Sequence, residues 1–386
     1  MKIMPFLKRQ NSVFLTTLIG LILIGILICL PTGYEDALIY QGTERAVGKV
    51  VETDNSAIIT SGLIQSGEQS CMLEIENGNF KGKILEGVNF LSGSLEKDKI
   101  FKEGDRALLT ISCQGDTIRS VVISDHYRLD KEVILLAVFA VFLIIFAGKI
   151  GFQAILSFFI TILMIWKILV PCYLKGYSPV WVGIGITAVL TAIIIFFVYG
   201  LDKRTLTAVS GALLGITTTC ILGILFTGLF KIHGAVMTSS ESLLYSGYQD
   251  LDLTSIFMAS IFIGASGAMM DLAVDITSAV WEVIGKKPDI SAPEAILSGL
   301  RVGRAAMGTM TTTLLLAYSG GYISLLMVFM AQGTPVDHIL NYKYVAAEVL
   351  DTVVGSFGLV TVAPFTALMA GLLLTRRKKR RKPVSE

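Results

Sequence analysis

Several charged side chains stand inside or beside the longest apolar stretches of this chain, where charge is costly unless it has a partner or a task. Asp271 and Asp275 lie one helical turn apart in SIFMASIFIGASGAMMDLAVDITSAVWEVI, and Ser278 and Glu282 continue their stripe. Arg301 and Arg304 open a second apolar run that carries Thr309, Thr311, Thr312, Thr313, Tyr318 and the pair Gly320-Gly321. Glu348 and Asp351, three residues apart, precede a third. An ionised group at a bilayer centre costs roughly 2.5–3.5 kcal/mol on insertion scales, so such groups imply partners, water or a function.

Two chemistries fit the Asp271/Asp275 pair. Carboxylates in a low-dielectric, partly hydrated path can take up and release a proton or cation as a solute moves. Alternatively, the pair is held in a structural network by Arg301, Arg304 or the threonines, because a buried carboxylate needs partners whatever it does. Both readings stay open. Glu348 and Asp351 read as a face at the outer interface or as the mouth of a pathway. Intramembrane hydrolysis is a remote third reading, resting on Gly264-Ala265-Ser266-Gly267; small-residue helix packing explains that tetrapeptide better.

The apolar stretches that carry these groups read as membrane spans. The chain has 386 residues, of which 53% are hydrophobic and 16% charged, and its mean hydropathy is +0.70. That balance excludes an ordinary soluble domain. Apolar runs predict eight spans: Val13–Leu30, Val133–Ala147, Gly151–Val170, Val180–Tyr199, Leu206–Phe230, Ser255–Ile284, Ala305–Met330 and Val353–Leu374. A tight reversal is expected at Lys149, and the capping box Ser291-Ala-Pro-Glu294 predicts a helix start near Ala292.

Net charge is +2, but the run Arg376–Lys382 holds seven cations, so the rest of the chain is net −5. The tail therefore reads as a positive-inside anchor that attracts anionic lipid, with no nucleic acid implied. Lys and Arg concentrate in alternate connections, at Lys2, Lys8, Arg9, Lys149, Lys203, Arg204, Lys286 and Lys287. The intervening short loops hold Lys175, Lys231 and Lys343. This asymmetry predicts both termini in the cytoplasm.

Between the first two spans the pattern changes to short alternating runs, AVGKVV, AIITSG, CMLEI, VNFLSG, DRALLTISC and TIRSVVIS, with Asn77-Gly78 as a hairpin turn. A small all-β domain is expected there, a barrel or sandwich of OB-like or SH3-like type lying outside the cell. Cys71 and Cys113 share the inward phase of their runs, which fits either a disulfide or two free buried thiols. No cysteine or histidine spacing suggests a metal site, and no motif suggests a cofactor. The expected division is 1–31 for the N-terminus and first span, 32–131 for the β domain, 132–375 for a seven-helix bundle and 376–386 for the basic tail.

Three segments in order, GASGAMMDLAVDITSAVWE, SGLRVGRAAMGTMTTTLLLAYSGG and YVAAEVLDTVVGSFGLVTVAPFTAL, resemble the YibE/F family of bacterial multi-pass membrane proteins. The resemblance covers most of Glu132–Leu374 and extends to GKVV, NGNFKGK and GD in the β segment. It implies a protein of the bacterial cytoplasmic membrane for which a transporter role is conjectural. The family pattern has Asp-Ile at Ala305-Ala306 and Asn at Thr312, so any function at those positions is in doubt here. The expectation is a non-enzymatic permease for an ion or small solute, cation-coupled through Asp271 and Asp275, with Arg304 and Thr312 as pathway or pairing residues. The competing class is a scaffold or sensor whose β domain binds a protein or envelope component.

Overall fold

A computed structural model describes residues 3–34, 42–114 and 117–375. The chain divides into two units, one comprising Gly33–Phe146 and the other Met1–Thr32 with Ala147–Glu386. The basic run and its anionic-lipid role lie outside the described residues.

The first unit is a β-barrel of strands β1 (Thr43–Asp54), β2 (Ile58–Ser61), β3 (Ile64–Ile75), β4 (Ile84–Ser92), β5 (Arg106–Gln114) and β6 (Thr117–His126). Its sheet order is β1-β5-β6-β4-β3-β2, and β1 pairs additionally with β3, so β1, β5, β6, β4 and β3 form a closed ring. The first half of β1 pairs with β5 and the second half with β3, with a register shift between Val50 and Glu52. The ring closes at a parallel bridge, Val88 to Val122. This order is that of an OB-like Greek-key barrel.

Alternation along the strands sends Val50, Cys71, Leu73, Ile75, Leu109, Ile111 and Ile123 into one core. The dipeptide Gly104-Asp105 docks on the shift in β1: the Gly104 amide donates to the Val50 carbonyl and the Val50 amide to the Asp105 carbonyl, both at 2.8 Å. Asn77 does not make the expected two-residue turn. The β3–β4 connection runs from Glu76 to Lys83, and the Asn77 side chain instead accepts the Val47 amide at 2.7 Å.

Of the two states left open for Cys71 and Cys113, the structure has the free thiols. Register explains why. Cys71 stands opposite Thr53, whereas Ser112, next to Cys113, stands opposite Thr43. About ten residues of β1, some 33 Å of extended strand, separate those levels, and a disulfide needs Cα atoms within about 7 Å.

The helices are α1 (Ile3–Cys29), α2 (Leu129–Met164), α3 (Val170–Leu174), α4 (Pro179–Tyr199), α5 (Lys203–Leu229), α6 (Ser240–Tyr245), α7 (Leu253–Lys286), α8 (Ala292–Ser319), α9 (Ile323–Ala331), α10 (Val336–Asn341) and α11 (Lys343–Leu374). Six helical stretches among the described residues are long and apolar enough to cross a membrane, and Leu15–Cys29 is a shorter apolar one. A count of eight requires dividing Leu129–Leu174 in two and adding Leu15–Cys29. Next to the reversal expected at Lys149, helix α2 is interrupted at one non-helical residue, Gly148, at φ 55° and ψ −125°.

In the bundle, α4, α5, α8 and α11 surround α7, whose Phe262, Ala265, Met269, Ala273 and Ile276 are buried. The α5–α11 seam is closest. A Cβ on Gly215 would overlap Val362, and one on Gly358 would overlap Thr219 and Met269, so only glycine allows these helices to meet. The capping box forms as read: the Glu294 amide donates to Ser291 Oγ and the Ser291 amide to Glu294 Oε2. Helix α11 starts at Lys343, ten residues before the expected Val353. Glu348 and Asp351 therefore belong to the helix itself and not to a preceding loop.

Candidate functional site

Ala347, Leu350 and Val354 of α11 pack against Ile232, Val236 and Phe257, which fixes the rotation of the helix's first turns. That rotation leaves Glu348 and Asp351 half-buried on an adjoining face. Glu348 Oε1 and Asp351 Oδ1 are shut off from solvent and have no hydrogen-bond partner. Among the described residues no Lys or Arg forms an ion pair with either. From α8, Tyr318 stands beside both carboxylates, and the Tyr322 hydroxyl, in the 3₁₀ turn Gly320–Tyr322, is the hydrogen-bonding neighbour of Glu348. The Tyr318 ring fits because α7 offers glycine at that level: a Cβ on Gly264 would stand 2.8 Å from its hydroxyl oxygen.

One turn further along the same two helices lies a groove of about 400 Å³. Its lining is apolar at Leu315, Val353, Phe357 and Val360, with hydroxyls from Thr311, Thr312, Thr352 and Ser356. Thr352, four residues beyond Glu348, is 8% exposed. Thr311 and Thr312 return their hydroxyls to the carbonyls of Met307 and Gly308. Thr312 thus lines a groove, as a pathway residue would. Two carboxylates flanked by hydroxyls can bind a cation or exchange a proton. Among the described residues no third His, Cys, Asp or Glu joins them in a cluster that could hold a metal ion.

Asp271 and Asp275 are placed differently. They share an exposed stripe of α7 with Ser260, Gly264, Gly267, Ser278 and Glu282. The structural network that one of the two readings placed between them and Arg301 or Arg304 is not formed within the chain: among the described residues, none of the four takes part in a hydrogen bond or ion pair. The cause is the hairpin's packing. Gly303 backs onto Ile276 and Ala363, and Gly299 onto Val280 and Ala367, which turns the arginines and aspartates outward on separate faces. Ser266, the other chemical suggestion on this helix, is 7% exposed and donates its hydroxyl to the Ile263 carbonyl at 2.7 Å.

The barrel unit carries a second concavity, of about 530 Å³, lined by Arg106, His126, Tyr127, Arg128, Asp130 and neighbours. Arg106 bridges Glu76 at 2.6 Å and Asp130 at 2.9 Å and lies 4.8 Å from the centre of the Tyr127 ring. The Glu76 hydrogen bond holds its guanidinium protonated beyond its already high ordinary value. No sequence signal singled out this site, because its parts come from the start of β5, the end of β6 and the first turns of α2.

Residues 135–376, more than half of the chain, match the family described as YibE/F-like protein. The chain belongs to the YibE/F-like family. No curated protein and no solved structure matches it. The family region contains Asp271, Asp275, Arg301, Arg304, Thr312, Glu348 and Asp351, and begins after the barrel strands.

Proposed function

We propose that this YibE/F-like protein is a multi-pass permease of the bacterial cytoplasmic membrane, moving an ion or small solute with Glu348 and Asp351 as the cation-coupling pair. The observation that carries this reading is the pair of solvent-shielded, unpartnered carboxylate oxygens inside a bundle of apolar helices. An anionic site left without a fixed cation suits a mobile one, and a largely apolar groove opens beside it. Coupling moves from Asp271 and Asp275, the pair expected from sequence, to the more enclosed pair. Lys and Arg asymmetry supports cytoplasmic termini and an extracytoplasmic barrel.

The test begins with carbonate extraction, from which an integral protein stays in the membrane fraction. Reconstituted vesicles holding a pH-sensitive dye are then screened with ions and small metabolites. Glu348→Gln and Asp351→Asn should each remove coupled flux while leaving the protein folded. Undiminished flux in both variants would overturn the assignment. The concavity around Arg106 supports a second reading, a sensor or scaffold whose barrel binds a protein or envelope component. Binding at the barrel with no flux for any solute would favour it.

A further inference from the structure

The α7–α8 hairpin presents two unpaired charged faces. One, on α7, carries Asp271 and Asp275 among Gly264 and Gly267; the other, on α8, carries Arg301 and Arg304. All four side chains are exposed, and within one copy the aspartates and arginines do not meet. The contacts of Gly303 with Ile276 and of Gly299 with Val280 set the hairpin's antiparallel register, which places Arg304 level with Asp275 and Gly308 level with Asp271. Asp275 lies near the level where α4 ends and α5 begins, since the Tyr199 hydroxyl hydrogen-bonds with Val274 and Ser278 and the Arg204 guanidinium lies 5.2 Å from the Trp281 ring centre; Asp271 is one turn deeper. Acyl chains cannot satisfy either face there.

We infer that the two faces are halves of one interface between copies of this chain, the Asp271/Asp275 face of one copy docking on the Arg301/Arg304 face of the next. Copies inserted in one bilayer share a single orientation, so only groups at matching depth can pair. Asp275 and Arg304 meet that condition, with opposite charge. Gly267, about one turn from Asp271 and with open space where a Cβ would stand, lets a neighbouring helix approach closely enough for bidentate contacts. The inference rests on the reading of these helices as membrane spans, and not on transport.

In a background with the native cysteines replaced, Gly267→Cys is placed in one tagged copy and Thr312→Cys, level with it in the hairpin register, in another, and the two are co-expressed. Each chain then holds one thiol, so a crosslink between tags must join two copies. A crosslinked species of twice the chain mass is expected, with none when Thr312→Cys is replaced by Leu225→Cys on α5. Asp275→Arg should lower the oligomer fraction in mild detergent about tenfold, and the double variant Asp275→Arg/Arg304→Asp should restore it. A membrane-integrated monomer without crosslinks, or charge reversals that leave assembly unchanged, would overturn the interface whatever the flux measurements give. Failure of carbonate extraction would remove the spanning reading itself.

Discussion

Glu348 and Asp351 each keep one carboxylate oxygen that the fold encloses without a partner, and this has a consequence for stability as well as flux. Removing their charge removes a desolvation cost. Glu348→Gln should therefore leave the thermal midpoint unchanged or raise it, by an effect of about 1 kcal/mol, while coupled flux falls. Differential scanning fluorimetry in detergent checks the first and the vesicle assay the second. A drop of several degrees would mean that Glu348 holds a structural partner. Cys71 offers a second residue-scale test. It is 1% exposed, and burial pushes its thiol from 9.0 up to about 11. The folded value lies above the unfolded one, so the stabilising contribution is full below pH 9 and is lost as pH rises through 11. It amounts at most to roughly 3 kcal/mol. Iodoacetamide at pH 8 should label the more accessible Cys113 readily and Cys71 only on unfolding, read by mass spectrometry. Rapid native labelling of Cys71 would contradict the packing.

At the scale of elements, the seam between α5 and α11 is the most sensitive place in the bundle. Gly358→Val would drive a branched side chain into Thr219 and Met269 and should cost at least about 2 kcal/mol, seen as poor yield or a lowered midpoint. Ser291→Ala should cost only about 1 kcal/mol, because it removes one cap at an exposed helix start. The sequence made the capping box and all six strands legible, since alternation and the S-x-P-E pattern are local signals. It misplaced the start of α11 because Tyr344, Glu348 and Asp351 dilute the apolar run, although Ala347, Leu350 and Val354 keep helical spacing on the buried side. It could not reveal that Asp271 and Asp275 face outward, since which side of an almost wholly apolar helix is covered depends on the glycines of its neighbours. Nor could spacing tell a bridged Cys71 from a free one, because strand phase fixes the face and not the level along the barrel.

For the whole molecule, the proposed orientation makes a direct prediction. After native thiols are replaced, an impermeant maleimide should label a cysteine at Asn77 in intact cells and leave one at Lys286 unlabelled. The opposite pattern would reject the orientation or the span count. The closed barrel also imposes an order of events on synthesis. Strand β1 is complete at Asp54, yet one of its two partners, β5, does not begin until Arg106, and the ring closes only when Val122 of β6 arrives opposite Val88. Until then the edges of β1 and β4 are open to wrong partners, in a segment whose native contacts are mostly distant in sequence. The vulnerable interval ends when His126 emerges, just before the long apolar helix beginning at Leu129. A slow codon run or a translational pause before that point would lengthen the exposure, whereas one after it would give the barrel time to close before the remaining helices are made.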